Sequence, residues 1–209
     1  MADHAHTHHS APCRERRVLL VEDHPVVLRG LHAVLGDVDG IRVCAEASSH
    51  AEALRAAATH DPDVAVVPVR LDGARSGTGL CRTLLRSGCP QVIVFTAFAR
   101  EIDVRLALMA GASAVIAKSA PPEVMIETIL HPDPELRHVH LGDSSTLATE
   151  HFPEGTLTPR EADVLELLAD ARTNPEIAQT LRIELTTVKT HVRSVLRKLG
   201  AESRRDLLA

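Results

Sequence analysis

The chain has 209 residues, 44% of them hydrophobic and 24% charged, with a formal net charge of −5. That length suits one large or two small domains, and no apolar run approaches the roughly 18–20 residues a membrane span needs. The first apolar stretch starts at Val18 and runs straight into Glu22 and Asp23, unlike a secretory signal. Cysteines 13, 44, 81 and 89 fit no zinc or redox spacing, so small buried thiols in a reduced, cytoplasmic setting are expected.

Residues 1–16 hold His4, His6, His8 and His9 among small polar residues. Such spacing can bind Ni²⁺, Cu²⁺ or Zn²⁺ loosely in an extended chain. The composition favours a disordered tail without a metal role, and no metal or cofactor is expected elsewhere.

From residue 17 to residue 130, short β-rich runs alternate with helical patterns. The runs are Val18 to Glu22, Ile41 to Ala45, Val64 to Val69, Val92 to Thr96 and Ala114 to Ala117. Helical segments fall near Pro25–Leu35, His50–Thr59, Gly79–Arg86, Glu101–Ala110 and Pro122–Leu130. Five strands alternating with five helices predict a doubly wound α/β domain on a five-stranded parallel sheet. In such sheets the working residues stand at the carboxyl ends of the strands. Here those ends carry Glu22 and Asp23, Pro68, Thr96 and Lys118.

An acid pair after the first strand, a Thr after the fourth and a Lys after the fifth, with Pro25 opening the first helix and the Gly111-Ala112-Ser113 turn, resemble the receiver domain of two-component response regulators. The resemblance implies phosphorylation on an Asp at the end of the third strand. That position is Pro68, which has no nucleophile and, lacking an N–H, suits a strand end better than a strand centre. Asp72 stands four extended residues on, about 13 Å away, too far to take its place. The resemblance also implies a Mg²⁺ held by the acid pair, the acceptor Asp and a backbone carbonyl, an oxygen set that the Pro depletes. Lys118 is therefore expected to pair with Asp23 or Glu22 and hold the pocket shut without metal. The switch aromatic of the family aligns with Val115, so Thr96 loses both the phosphoryl group and its coupling partner.

Residues 131–156 read as a linker, with Pro132, Pro134, Pro153 and Gly155. Within it His138 and His140 alternate with Val139 and Leu141, a pattern that packs on one side. The remaining residues, 157–209, carry nine Lys or Arg against eight Asp or Glu, so the acidity of the chain belongs to its N-terminal part. They open on Leu157-Thr158-Pro159-Arg160-Glu161, where a Thr N-cap, a Pro at the first helical position and a Glu three residues after the Thr form a capping box. Ala162, Leu165, Leu168 and Ala169 follow at helical spacing. After a break at Arg172 to Pro175, a short helix turns Ile177, Ala178 and Leu181 inward. A second break leads to a helix from Thr186 to Gly200.

That helix has two faces of different chemistry. Val188, Val192, Val195, Leu196 and Leu199 repeat at helical spacing and pack inward. Lys189, Arg193 and Arg197 stand four apart on another face beside Thr190 and Ser194. Between Thr186 and Arg205 there are six Lys or Arg against one acid, Glu202. A basic stripe on a short helix, presented by a preceding helix and turn, suits the major groove of DNA. The Leu157 to Glu161 opening, Asn174, Glu176-Ile177-Ala178, Thr187-Val188-Lys189, His191-Val192 and Lys198-Leu199-Gly200 resemble the four-helix DNA-binding domain of LuxR-type regulators. Together the two halves resemble a NarL/FixJ-type response regulator without its phospho-acceptor.

The resemblance implies that Lys189, Thr190 and Arg193 reach base edges, and that Thr187, Arg197, Lys198 and Arg204 contact phosphates. The expected function is a transcription regulator that binds double-stranded DNA without Asp phosphorylation, as a homodimer or as a heterodimer with another response regulator. Two features weigh toward the heterodimer: Pro175 stands where the family often has a phosphate-contacting base, and the final helix is short. A third reading is a receiver whose altered pocket senses a small-molecule ligand. No nucleophile–base pair or metal triad points to an enzyme.

Overall fold

Strands buried on both faces read as continuous apolar runs, and the four central strands have that character. The computed structural model describes residues 15–71, 75–97, 101–133, 137–141 and 157–205. Asp72, the histidines of residues 1–14 and most of the linker lie outside them. Strands β1 (Arg16–Val21), β2 (Ile41–Ala47), β3 (Val64–Val67), β6 (Gln91–Thr96) and β7 (Ala114–Ala117) alternate with helices α1 (Pro25–Gly36), α2 (His50–His60), α3 (Gly77–Arg86), α4 (Glu101–Met109) and α5 (Pro122–Leu130). All neighbouring strands of the main sheet run parallel. Alternate residues supply the two faces. Val18, Leu20, Val66 and Ile93 pack against Leu31 and Leu35 of α1 and Ile129 of α5. Leu19, Val67, Val92 and Val94 pack against Leu80 and Leu84 of α3 and Leu108 of α4.

The main sheet has six strands, not five, in the order β2-β1-β3-β6-β7-β8. The sixth, β8 (His138–His140), comes from the segment read as linker and pairs Val139 with Val115 of β7. Val139 is fully buried, and its strand covers what would otherwise be the exposed hydrogen-bonding edge of β7. The His138 and His140 rings stack on one side, 6.1 Å between centroids.

β3 stops at Val67, two residues before the expected end, because Pro68 has no N–H to give the ladder. The chain then makes an antiparallel ribbon of β4 (Arg70–Leu71) and β5 (Arg75–Ser76) before entering α3. Gly77 closes this turn: its N–H donates to the Val69 carbonyl at 2.7 Å. A Cβ at Gly77 would lie 1.7 Å from the Pro68 carbonyl oxygen, so only glycine fits.

The C-terminal domain is helical: α6 (Pro159–Ala169), α7 (Asn174–Leu181) and α8 (Leu185–Lys198). Both the α6 and α7 starts are capping boxes, Thr158 with Glu161 and Thr173 with Glu176. The second explains why α7 begins at Asn174, inside the stretch read as a break. Of the expected fourth helix, from Ser203 onward, residues 203–205 are described, and Arg204 and Arg205 are helical. Among the described residues no helix is long and apolar enough to cross a membrane.

Gly77→Ala should destabilise the receiver-like domain by about 1–3 kcal/mol, the cost of forcing the 68–77 turn to shift. Urea unfolding of the full chain checks this; an unchanged midpoint would show that the turn relaxes freely.

Candidate nucleic-acid interface

Helix α8 is held by a small apolar core. Val164, Leu165 and Leu168 of α6, Ile177 of α7, and Val188 and Val195 of α8 are all buried in one cluster, with Val192, Leu196 and Leu199 partly buried against it. This fixes which side of α8 faces out. Thr186, Thr187, Lys189, Thr190, Arg193 and Arg197 are exposed. Lys189 and Arg193 stand one turn apart, and neither has an acidic partner among the described residues. The Thr190 hydroxyl donates to the Thr186 carbonyl at 3.0 Å, which leaves its oxygen able to accept.

The other expected phosphate contacts are placed differently. Lys198 is 2.7 Å from the Glu161 carboxylate, and Arg204 donates to the Leu168 carbonyl at 3.4 Å. Arg197 reaches the Ser194 hydroxyl at 3.4 Å but keeps an exposed guanidinium.

Glu161 does more than cap. It is buried, and besides the Thr158 backbone N–H (2.7 Å) it accepts from Ser194 (2.7 Å) and Lys198, so one carboxylate ties the start of α6 to the second half of α8. Burial works against its charge, but Lys198, Ser194 and Thr158 outweigh burial and pull the carboxyl down to about 2. The capping role was legible as Thr158-x-x-Glu161; the link to Lys198 spans 37 residues and has no local signal.

At the carboxyl ends of β1, β3, β6 and β7 the structure brings together Glu22, Asp23, Pro68, Thr96 and Lys118. Glu22 is buried, and the Lys118 ammonium lies 2.6 Å from its Oε2. The same ammonium stands 5.7 Å from the centre of the Phe95 ring. On the other side His24 Nδ1 is 2.9 Å from Glu22 Oε1 and 2.9 Å from Asp23 Oδ1. Its pKa is raised by Glu22 first and then by Asp23. His24 was missed in the sequence, where it reads only as the residue before Pro25. The set does not fit the Mg²⁺ of a receiver. Pro68 offers no carboxylate, both Glu22 oxygens have cationic or imidazole partners, and Mg²⁺ requires near-octahedral oxygen ligation.

Comparison with known proteins bears on both halves. Residues 18–130 match the family described as response regulator receiver domain, and residues 155–209 match bacterial regulatory proteins, luxR family. The chain is 35% identical over 195 residues to the nitrate/nitrite response regulator protein NarP of Escherichia coli (strain K12), covering 90% of each. The chain is a response regulator of the NarL/LuxR family. It is also 34% identical, over 90% of each chain, to the DNA-binding transcriptional activator DevR/DosR of Mycobacterium tuberculosis. Its fold is similar to that of RcsB from Salmonella enterica serovar Typhimurium bound to promoter rprA, with a TM-score of 0.64 at 20% identity over 93% of this chain and 97% of that one.

In this response regulator the two domains meet through α6. Ile102 and Leu106 of α4 enter the same apolar cluster as Val164, Leu165 and Leu168. Around them are polar links: Arg82 to Glu166 at 2.7 Å and to Asp163 at 3.6 Å, Thr78 to Glu166 at 2.8 Å, and Arg70 to Asp170 at 2.7 Å. Burial pushes the Glu166 carboxyl up, against the lowering influence of Thr78 and Arg82. The docking uses the back of the DNA domain, and Lys189, Thr190 and Arg193 stay exposed. The ribbon after Pro68 takes part in it, since β4 carries Arg70.

Two outcomes are expected. Because the Glu161 carboxyl is depressed from 4.5 to about 2, its charge stabilises the fold fully above pH about 4.5 and progressively less as the pH falls toward 2. Glu161→Gln should lower stability at neutral pH by roughly 1–3 kcal/mol and flatten the acid decline between pH 4.5 and 2, read by hydrogen exchange in α6 and α8. Separately, Arg82→Glu faces Asp163 and Glu166 with a like charge, at a cost on the order of 3 kcal/mol for so covered a pair. It should raise the radius of gyration in X-ray scattering, and adding Glu166→Arg should bring it back. A single variant as compact as the parent would mean the ion pairs do not hold the joint.

Proposed function

We propose that this response regulator is a sequence-specific transcription regulator whose DNA binding does not require aspartyl phosphorylation. The observation that carries the reading is Pro68 at the end of β3, where a carboxylate nucleophile would have to stand. The pocket around it supports the same conclusion. Lys118, free of any phosphoryl group to hold, neutralises Glu22 at 2.6 Å, and His24 takes the other oxygen. Both oxygens of the buried Glu22 are thus engaged by the chain's own side chains, and no carboxylate stands at Pro68 to receive a phosphoryl group.

The DNA-reading surface is the exposed face of α8. Lys189 and Arg193 would donate to guanine O6 and N7, with Thr190 beside them. Thr187 and Arg197 would position the helix on phosphates. Lys198 and Arg204, engaged by Glu161 and the Leu168 carbonyl, would act on DNA mainly through their charge. Two-fold pairing of the protein calls for an inverted repeat with half-sites about one helical turn, roughly 10 bp, apart. A heterodimer with a second response regulator is the alternative, favoured by Pro175, which stands where the family often has a basic residue that contacts phosphate.

The test is selection of bound DNA by the purified chain with and without a small-molecule phosphodonor. An inverted-repeat site recovered equally in both is expected, with Lys189→Ala and Arg193→Ala each weakening it about 5- to 100-fold, the value of one bidentate base contact. A requirement for phosphodonor would sink the proposal. Specific binding only when a second regulator is added would hand it to the heterodimer.

A further inference from the structure

Among the described residues three large apolar side chains keep a substantial exposed surface: Val26 and Val34 on α1, and Leu185. Leu185 is the first residue of α8 and is 38% exposed. It takes no part in the core of the DNA domain, which Val188, Val192, Val195 and Leu196 complete from the same helix. Nor does it serve the helix end, since capping needs a polar side chain before it. Instead it starts the row Leu185, Lys189, Arg193, spaced one turn apart and all exposed. It also lines a cleft of about 640 Å³ between the end of α7 and the start of α8, together with Gln179, Arg182 and Thr187.

We propose that Leu185 is a specificity-determining residue that reads the C5-methyl group of a thymine in the major groove; this rests on α8 being the groove-reading helix. The N-terminal residues of such helices are the ones that reach base edges. A leucine has neither donor nor acceptor, so of the features the groove displays only the thymine methyl is complementary to it. Contact would remove both apolar surfaces from water, which is the stabilisation an exposed leucine lacks in the free protein. Lys189 lies one turn on, about 6 Å along the helix. The thymine is therefore within about two base pairs of the guanine that Lys189 contacts, and the half-site carries a thymine and a guanine as near neighbours.

The experiment uses the full chain and its selected operator, with each thymine of one half-site replaced in turn by uracil, which differs only by the missing methyl. One replacement should weaken binding about four-fold, the effect of one methyl-sized group left unburied, at fixed salt. Leu185→Ala should bind the thymine and uracil duplexes alike while still melting cooperatively with the helical content of the parent, because the side chain is outside the buried core cluster. Leu185→Gln, whose amide matches adenine N6 and N7, should move the preference at that base pair from thymine to adenine. If no uracil position matters to the parent chain, or if Leu185→Ala keeps the same discrimination, the assignment is overturned. Failure of the underlying reading looks different: Lys189→Ala would then bind the operator as the parent does, whatever the uracil series shows.

Discussion

Helix α6 carries one buried and one largely covered carboxylate that face different elements, and the partners those carboxylates need link α6 to α8 and to the receiver. A buried charge is tolerated only with donors around it. Glu161 finds the Thr158 N–H, Ser194 and Lys198, which fastens α8 at the angle that turns Lys189 and Arg193 outward. Glu166, five residues on, finds Thr78 and Arg82 in the receiver. The two answers differ in degree. Donors win at Glu161, whose carboxyl falls to about 2, whereas burial wins at Glu166 and its carboxyl is raised. The first contact is therefore a firm internal strut of the DNA domain. The second is a joint whose charge is held less comfortably and which leans on the apolar contact of Ile102 and Leu106 beside it.

Pro68 shapes more than the end of one strand. It ends β3 early, commits Gly77 to a turn that no other residue fits, and leads into a ribbon whose Arg70 meets Asp170 of the DNA domain. The segment that follows Pro68 thus takes part in the domain boundary. The neighbouring acid pair is engaged as well: Glu22, a carboxylate buried at a strand end, has one oxygen 2.6 Å from Lys118 and the other 2.9 Å from His24.

Much of this was legible in local pattern. Apolar runs and helical spacing placed the strands and helices of the receiver, and the Thr158-Pro159-x-Glu161 cap placed α6. The departure at Pro68 needed only the order of the strands. The second cap, Thr173 with Glu176, was present in the sequence but hidden by reading Asn174-Pro175 as a break. The sixth strand was visible only as the alternation of His138, Val139, His140 and Leu141, because three residues are too few to show a strand until an edge is there to pair with.

What residue order alone determined was the set of elements and the chemistry each could offer: a receiver-like sheet with a Pro after its third strand, and a basic helix with an apolar back. These depend on interactions within a turn or two, which spacing reveals. Only tertiary structure decided which cations are free. Arg197 and Lys198 were both expected on phosphates, yet Arg197 is exposed and Lys198 faces Glu161. The pairs that settle such matters lie 37, 84 and 96 residues apart in the chain. A contact between distant residues leaves no periodicity behind, so no local pattern could have shown it.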